Sequence, residues 1–182
     1  MITGLLARGD TVGEHTENPL MIELSRATTA HRSLLRQLYE LYCHDFSPLT
    51  KVNIGADGYW TDADFLDPWP EDLHLYLIRV DQQWAGFAWV AFGGYIDPQS
   101  ANFLMDEFFV LRQYRRRGVG EFAAVWLFNQ YPGTWEVGEI PENVEAQQFW
   151  RAIINRYTDG HYREVNVNNQ RWHGPVQIFT TA

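Results

Sequence analysis

The run RQYRRRGVGEF at residues 112–122 constrains the fold more than any other part of the sequence. An apolar stretch, 101–111, predicts a β-strand directly before it, and apolar residues at helical spacing predict an amphipathic α-helix that begins near Gly118. The chain must turn sharply between these two elements, and the glycines of the run permit such a turn. A strand–turn–helix unit of this kind indicates a mixed α/β fold.

The same turn predicts a binding site for a diphosphate. The first N–H groups of a helix have no acceptor within the helix, and the helix dipole adds partial positive charge there. Arg115, Arg116 and Arg117 place full positive charges beside these donors. The run has neither the Gly-Lys-Ser/Thr of a P-loop nor the three-glycine spacing of a dinucleotide fingerprint. The alternative interpretation is a solvated basic loop in which a glycine caps a turn.

The remaining hydrophobic pattern predicts a single α/β domain over residues 21–182. The predicted elements, in chain order, are a helix at 28–46, strands at 73–80, 84–92 and 101–111, a helix from Gly118, a strand at 132–140, a helix at 141–157, and a hairpin of 161–168 with 175–181. The first three strands are expected to form an antiparallel meander. For residues 1–20 we expect a flexible tail or a non-native extension.

Composition limits the partners of this domain. A formal net charge of −9 argues against binding of nucleic acid or a membrane surface by the whole molecule. The single cysteine, Cys43, excludes an internal disulfide and favours a cytoplasmic location. The six histidines show no metal-ligand spacing, and no apolar run is long enough to span a bilayer. We therefore expect a cytoplasmic protein without a metal, whose basic loop binds a small anion.

Two motifs resemble those of the GCN5-related N-acetyltransferases, the GNAT superfamily. The sequence RRRGVG at 115–120 is similar to the family's Arg/Gln-x-x-Gly-x-Gly/Ala motif, and Val110 precedes it at the expected distance. The stretch ENVEAQQFW is similar to the family's Asn-x-x-Ala-x-x-hydrophobic-Tyr helix, through Asn143, Ala146 and Phe149. The resemblance implies a GNAT-like mixed central sheet, with an antiparallel N-terminal meander followed by β-α-β-α-β-β, flanked by helices.

The resemblance also implies acetyl-CoA as a co-substrate. Backbone N–H groups of the loop and of the first helical turn would bind its pyrophosphate. These residues are Arg115, Arg116, Arg117, Gly118, Val119, Gly120 and Glu121. The strand edge at Phe108, Phe109 and Val110 would pair with the pantetheine arm. Asn143 would contact the same arm, or else it bonds only its own helix backbone.

For catalysis, the resemblance implies direct attack by a primary amine in a ternary complex. Glu107 is the candidate general base, with an exposed strand carboxylate as the alternative interpretation. Asp106 is the fallback, since strand alternation would put the two carboxylates on opposite faces. The position of the family's usual tyrosine carries Trp150, whose indole cannot donate a proton near neutral pH. Tyr157 or water would then protonate the leaving thiolate.

The acceptor side of the site is predicted from the segment between 57 and 72. It interleaves aromatic rings with six carboxylates, namely Asp57, Asp62, Asp64, Asp67, Glu71 and Asp72. Such a segment suits a cationic amine, although a solvated acidic loop is the alternative. The sequence thus predicts an N-acetyltransferase that acts on a small-molecule amine. The alternative function is a non-catalytic acyl-CoA-binding or sensing module, and the aromatic C-terminal hairpin is compatible with a homodimer.

Overall fold

The computed structural model describes residues 20–60, 66, 69–70 and 73–182. In this part of the chain seven strands form one sheet, in the order β1-β2-β3-β4-β5-β7-β6. The strands are β1 (Ile22–Arg26), β2 (Leu73–Val80), β3 (Gln83–Phe92), β4 (Phe103–Val110), β5 (Gly133–Gly138), β6 (Arg163–Asn168) and β7 (His173–Thr181). The α-helices are α1 (Arg32–Thr50), α2 (Val119–Gln130) and α3 (Val144–Tyr157). The tail expected at 1–20 lies, apart from Leu20, outside the described residues.

The strand pairing confirms the predicted mixed sheet. Strands β1 to β4 pair in antiparallel succession, and β4 pairs with β5 in parallel. Strand β7 lies antiparallel between β5 and β6. The chain therefore continues from the meander as β-α-β-α-β-β, as expected. The sequence prediction missed β1, because this five-residue edge strand turns only Ile22 and Leu24 toward the core.

The helices cover both faces of the sheet. On one face, Leu35 and Leu38 of α1 pack against a buried cluster that includes Leu77 and Phe87. On the other face, α2 and α3 bury Phe128 and a group of further apolar residues against the sheet. Helix α1 runs to Thr50 rather than to Phe46, with a proline in its last turns. Within the described ranges, no helix combines the length and the apolar character that crossing a membrane requires.

The two parallel strands of the sheet separate after a short contact. Their pairing comprises Phe103 with Trp135, Leu104 with Glu136, and Met105 with Val137. Beyond these pairs, no described strand pairs with β4 on this side. The register between β3 and β4 shifts at the same level, since Trp89 lies opposite Glu107 and Val90 opposite Met105. This bulge leaves Asp106 as an extra residue, and a fork opens between β4 and β5.

A buried carboxylate holds the connection between β3 and β4 over this fork. Glu136 on β5 is fully buried, and its Oε2 accepts hydrogen bonds from the backbone N–H groups of Tyr95 (2.6 Å) and Ile96 (3.2 Å). The Tyr95 hydroxyl donates to the carbonyl oxygen of Met105 at 2.8 Å. These bonds fix the Tyr95 ring beside the point where the strands separate.

We predict that Gly86→Ala destabilises the fold strongly. Gly86 pairs with Val110 in the centre of the sheet, and a Cβ there would lie 2.0 Å from the carbonyl oxygen of Phe109. Forcing β3 and β4 apart should lower the free energy of unfolding by about 3 kcal/mol. Gly160→Ala is the comparison, because its Cβ would meet only a side-chain oxygen at an ordinary 3.6 Å, and its left-handed φ of +80° costs about 1 kcal/mol. Urea unfolding measures both, and equal midpoints would contradict the prediction.

Candidate active site

A cavity of about 300 Å³ lies in the fork between β4 and β5. We call it the fork cavity. Its walls are Met105–Phe108 of β4, the stretch Val137–Ile140 that includes the end of β5, and parts of α1 and α3. Tyr95 and Trp172, whose ring centroids are 4.4 Å apart, close another side. The cavity is therefore a product of the strand separation.

Glu107 lines the fork cavity and is held by two tyrosines of α1. The Tyr39 hydroxyl donates to Glu107 Oε1 at 3.3 Å, and Tyr42 also hydrogen-bonds this carboxylate. Burial raises the pKa of Glu107 to about 7, and the tyrosine hydrogen bonds act against that rise. Near neutral pH the carboxylate can therefore both take up and release a proton, as a general base requires.

The expected separation of the two carboxylates by strand alternation is wrong. Asp106 and Glu107 both line the fork cavity. The reason is the bulge at Asp106, which interrupts the alternation of side chains along β4. Glu107 is the better-anchored of the two, because α1 supplies its hydrogen-bond donors, whereas Asp106 is exposed.

A larger groove of about 930 Å³ adjoins the fork cavity, and we call it the loop groove. It runs along Phe108–Val110, past the arginine–glycine loop, to the start of α3. The two cavities share Tyr42, Phe46, Phe108, Asn143 and Ala146 as lining residues. The space thus continues from the basic loop to the carboxylate of Glu107.

The loop presents backbone donors at the start of α2. Gly118 precedes the helix in a left-handed conformation (φ +82°), and no side chain caps the helix there. Among the described residues, the N–H groups of Val119, Gly120 and Glu121 have no acceptor. Unpaired donors at the positive end of a helix dipole form an anion site. The loop therefore offers backbone donors to an anion, and the binding of a diphosphate there stays a prediction.

The two glycines of the loop have different roles. A Cβ at Gly118 would meet nothing within 4 Å, so this glycine supplies the left-handed turn and leaves the space beside it open. A Cβ at Gly120 would lie 3.0 Å from the ring of Phe149 on α3. Gly120 therefore also allows α2 to approach α3 closely.

The arginines divide into two structural classes. Arg112 and Arg115 form ion pairs with Asp45 of α1, and Arg115 Nε donates to the Val110 carbonyl oxygen at 2.7 Å. Burial acts to raise the pKa of Asp45, but the hydrogen bonds from the two arginines hold it below its usual value. Arg116 and Arg117 are exposed and have no hydrogen-bond or ion-pair partner among the described residues. The first pair anchors the loop, and the second pair is available to an anion.

Asn143 occupies the N-cap of α3. Its side-chain oxygen accepts from the backbone N–H of Ala146 at 3.1 Å, which establishes the capping role. The residue also lines both cavities. A contact between its side-chain amide and a CoA arm stays a prediction.

The structure does not support Tyr157 as the general acid. Its hydroxyl donates to Asn129 at 2.8 Å, its ring packs against Phe128 and Phe179, and it lines neither cavity. Trp150, by contrast, lines the fork cavity with its ring against Phe108. Sequence reasoning misplaced the tyrosine because Tyr157 lies two helical turns beyond Trp150, toward the far end of α3.

Two further parts of the sequence contribute nothing to the walls of the cavities. Burial raises the pKa of the Cys43 thiol to about 11, so this thiol stays protonated near neutral pH. In the acidic segment, Asp57 accepts from the backbone of Tyr59, whose ring packs on Arg36, and neither residue lines a cavity. The other five carboxylates of that segment lie outside the described residues. No group of three or more His, Cys, Asp or Glu side chains in the described ranges could hold a metal ion.

Sequence reasoning missed two contributions to the site. Tyr39 and Tyr42 lie three residues apart on one face of α1, a spacing that could have marked them as a pair facing the sheet. Glu139 follows β5 and lines the fork cavity opposite β4. The available signal was a carboxylate near each of two neighbouring strands, with Glu107 inside β4 and Glu139 directly after β5.

No protein-family model matches the sequence, and no curated protein is similar to it in sequence. Solved structures are similar in fold. An acetyltransferase from Thermus thermophilus matches with a TM-score of 0.65 at 14% identity, over 89% of this chain and 98% of the other. A GNAT-family acetyltransferase from Staphylococcus aureus matches with a TM-score of 0.58 at 13% identity, over 88% and 99%.

A third similar structure contains a bound coenzyme. The aminoglycoside acetyltransferase AAC(6′)-Ib, in complex with coenzyme A, matches with a TM-score of 0.57 at 13% identity, over 88% of this chain and 95% of the other. Each of the three matches covers 88% or 89% of this chain. The chain therefore has the fold of the GNAT acetyltransferases.

Proposed function

We propose that this protein is an acetyl-CoA-dependent N-acetyltransferase that acetylates a primary amine of a small molecule. The observation that carries the proposal is the continuity of the two cavities. The loop groove offers unpaired backbone donors, and it leads to the buried carboxylate of Glu107 in the fork cavity. The GNAT fold, and the coenzyme A bound by one similar structure, support the same assignment.

The residues of the loop groove fit acetyl-CoA. The N–H groups of Val119, Gly120 and Glu121 would bind its pyrophosphate, with Arg116 and Arg117 as surrounding charge. The edge of β4 beyond Met105, which no described strand covers, would bind the pantetheine arm by backbone hydrogen bonds. When bound, acetyl-CoA supplies the acetyl group as a thioester.

Glu107 would act as the general base. An amine that enters the fork cavity as an ammonium ion must lose a proton before its nitrogen can attack a carbonyl carbon. Glu107 can accept that proton near neutral pH, while Tyr39 and Tyr42 hold its carboxylate in place. Glu107 passes this first proton to solvent. As the nitrogen bonds to the acetyl carbon and the C–S bond breaks, the nitrogen loses a second proton. Since Tyr157 lies elsewhere, we infer that Glu107 transfers the second proton to the departing thiolate, directly or through water.

The loop assignment predicts that Gly118→Glu weakens acetyl-CoA binding at least tenfold. The new carboxylate would enter the open space beside the pyrophosphate site and repel its charge. Gly160→Glu is the matched control, because Gly160 also has a positive φ and uncrowded surroundings but lies after α3, away from both cavities. Isothermal titration compares the two variants with the wild type. Equal affinities in the folded variants would exclude this loop as the site.

The base assignment predicts a pH dependence. The base acts when ionised, so kcat/KM should rise with pH through about 7, the pKa that burial gives Glu107. Glu107→Gln should lower kcat by about 10²–10⁴-fold and remove this rising limb, while acetyl-CoA affinity stays unchanged. Glu23→Gln, an exposed change on β1, controls for the loss of one negative charge. If kcat/KM of Glu107→Gln still rises with pH through about 7, another group is the base.

A second candidate function is a non-catalytic acyl-CoA-binding module. The observation that favours it is Trp150, which packs among Phe108, Phe128 and Phe149 at the position of the family's usual tyrosine. The two functions differ in one measurement. A protein that binds acetyl-CoA but releases no thiol with any amine of a broad panel is a binding module.

A further inference from the structure

Glu139 is a buried carboxylate in the wall of the fork cavity, and the mechanism above does not use it. It lies just beyond β5, and only 4% of its surface is exposed. Its Oε2 accepts a hydrogen bond from Gln177 Nε2 at 3.1 Å. Its Oε1 is buried and has no hydrogen-bond partner among the described residues. An unpaired carboxylate oxygen in such a place is unfavourable unless a ligand completes its hydrogen bonds.

A hydrogen-bond network fixes the orientation of Glu139. Gln177, which is fully buried, donates from the same Nε2 to Glu164 Oε2 at 2.8 Å. Glu164 in turn accepts from two guanidinium donors of Arg151, at 2.7 and 2.8 Å. The nearby Arg151 guanidinium is thus bound to Glu164 and not to Glu139. The network fixes the position of the Glu139 carboxylate and leaves its Oε1 without a partner among the described residues. Burial, above all, raises the pKa of Glu139 to about 8, which is the response of a carboxyl group without a full counter-charge.

In the described part of the chain, the ionisable carboxyl groups that line the fork cavity have no cationic side chain beside them in its wall. Asp106, Glu107 and Glu139 line it, and among the described residues no Arg, Lys or His does. The loop groove, by contrast, is lined by arginines of the basic loop. The packed rings of Tyr95 and Trp172 add aromatic surface next to the carboxylates. Carboxylates and rings together are the surroundings in which a cationic nitrogen is bound.

We propose that the fork cavity binds an acceptor with two cationic groups, and that the Glu139 carboxylate holds the second of them. The first is the primary amine that Glu107 deprotonates, so this inference rests on the proposed function. Glu107 lies on β4 and Glu139 directly after β5, and both line the fork cavity. An acceptor between them would place one nitrogen at each. The cavity, at about 300 Å³, suits a small diamine, since small-molecule sites begin near this volume, about 300 Å³.

The test compares 1,4-diaminobutane with butylamine, which has the same chain length and one cationic group. Isothermal titration with both the free and the CoA-saturated protein, at about pH 9, keeps the amines charged and Glu139 ionised. The diamine should bind at least about tenfold more tightly than butylamine, because a second charge-assisted hydrogen bond forms. In Glu139→Gln the diamine should lose about tenfold in affinity, and butylamine should change less than about twofold.

The controls separate charge from folding. Glu139→Gln keeps the size of the side chain and an oxygen that can accept from Gln177, and thermal unfolding compares its stability with that of the wild type. Glu23→Gln, on the distant edge strand β1, should keep the full preference for the diamine. The wild-type comparison of the two amines needs no variant and decides the preference by itself.

Equal affinity of the wild type for both amines, or no binding of either, would overturn the inference. A preference that survives in Glu139→Gln would overturn the role of Glu139. These outcomes are distinct from a failure of the proposed function, which would appear as absence of acetyl-CoA binding or of thiol release. A protein that acetylates both amines equally well would keep the proposed function and lose this inference.

Discussion

The separation of two parallel strands after three residue pairs is the constraint on which the site depends. Strands β4 and β5 are hydrogen-bonded neighbours up to Met105 and Val137, and beyond that level they no longer pair with each other. A continuous ladder would have closed the sheet and left no cavity between the helices. The bulge at Asp106 has its effect at the same level, because it turns Glu107 toward α1 and its tyrosines. The end of one strand ladder and the bulge in its neighbour therefore produce the cavity and orient the Glu107 side chain.

The distribution of charge within the site is more informative than the net charge of the chain. An acidic protein places arginines at one end of a continuous space and carboxylates at the other. Donors for an anion and acceptors for a cation are thus separated along the same groove. The proposed reaction, between an anionic nucleotide carrier and a cationic amine, requires such a separation of charge, and the net charge of the chain does not reveal it.

The sequence predicts the parts of the structure that local patterns determine. The meander, the order of later elements and the loop before α2 follow from hydrophobic periodicity and glycine placement. The N-cap at Asn143 follows from residue type in the same way. The site itself depends on tertiary contacts. The bulge at Asp106, the contact of the two tyrosines with Glu107 and the position of Glu139 in the cavity wall arise when distant segments meet. The same reason explains the misplacement of Tyr157. The spacing of the tyrosines marks them as a pair, but it does not name the group that they contact.

Helix α1 connects both halves of the site through its periodicity. Tyr39, Tyr42 and Asp45 follow each other at intervals of three residues, which places them along one side of the helix over about 9 Å. Tyr39 and Tyr42 hydrogen-bond Glu107, while Asp45 holds the arginine loop through Arg112 and Arg115. The helix therefore fixes the spacing between the arginine loop and the Glu107 carboxylate. One residue inserted between Tyr42 and Asp45 would rotate Asp45 by about 100° and uncouple the two halves of the site while leaving every side chain present.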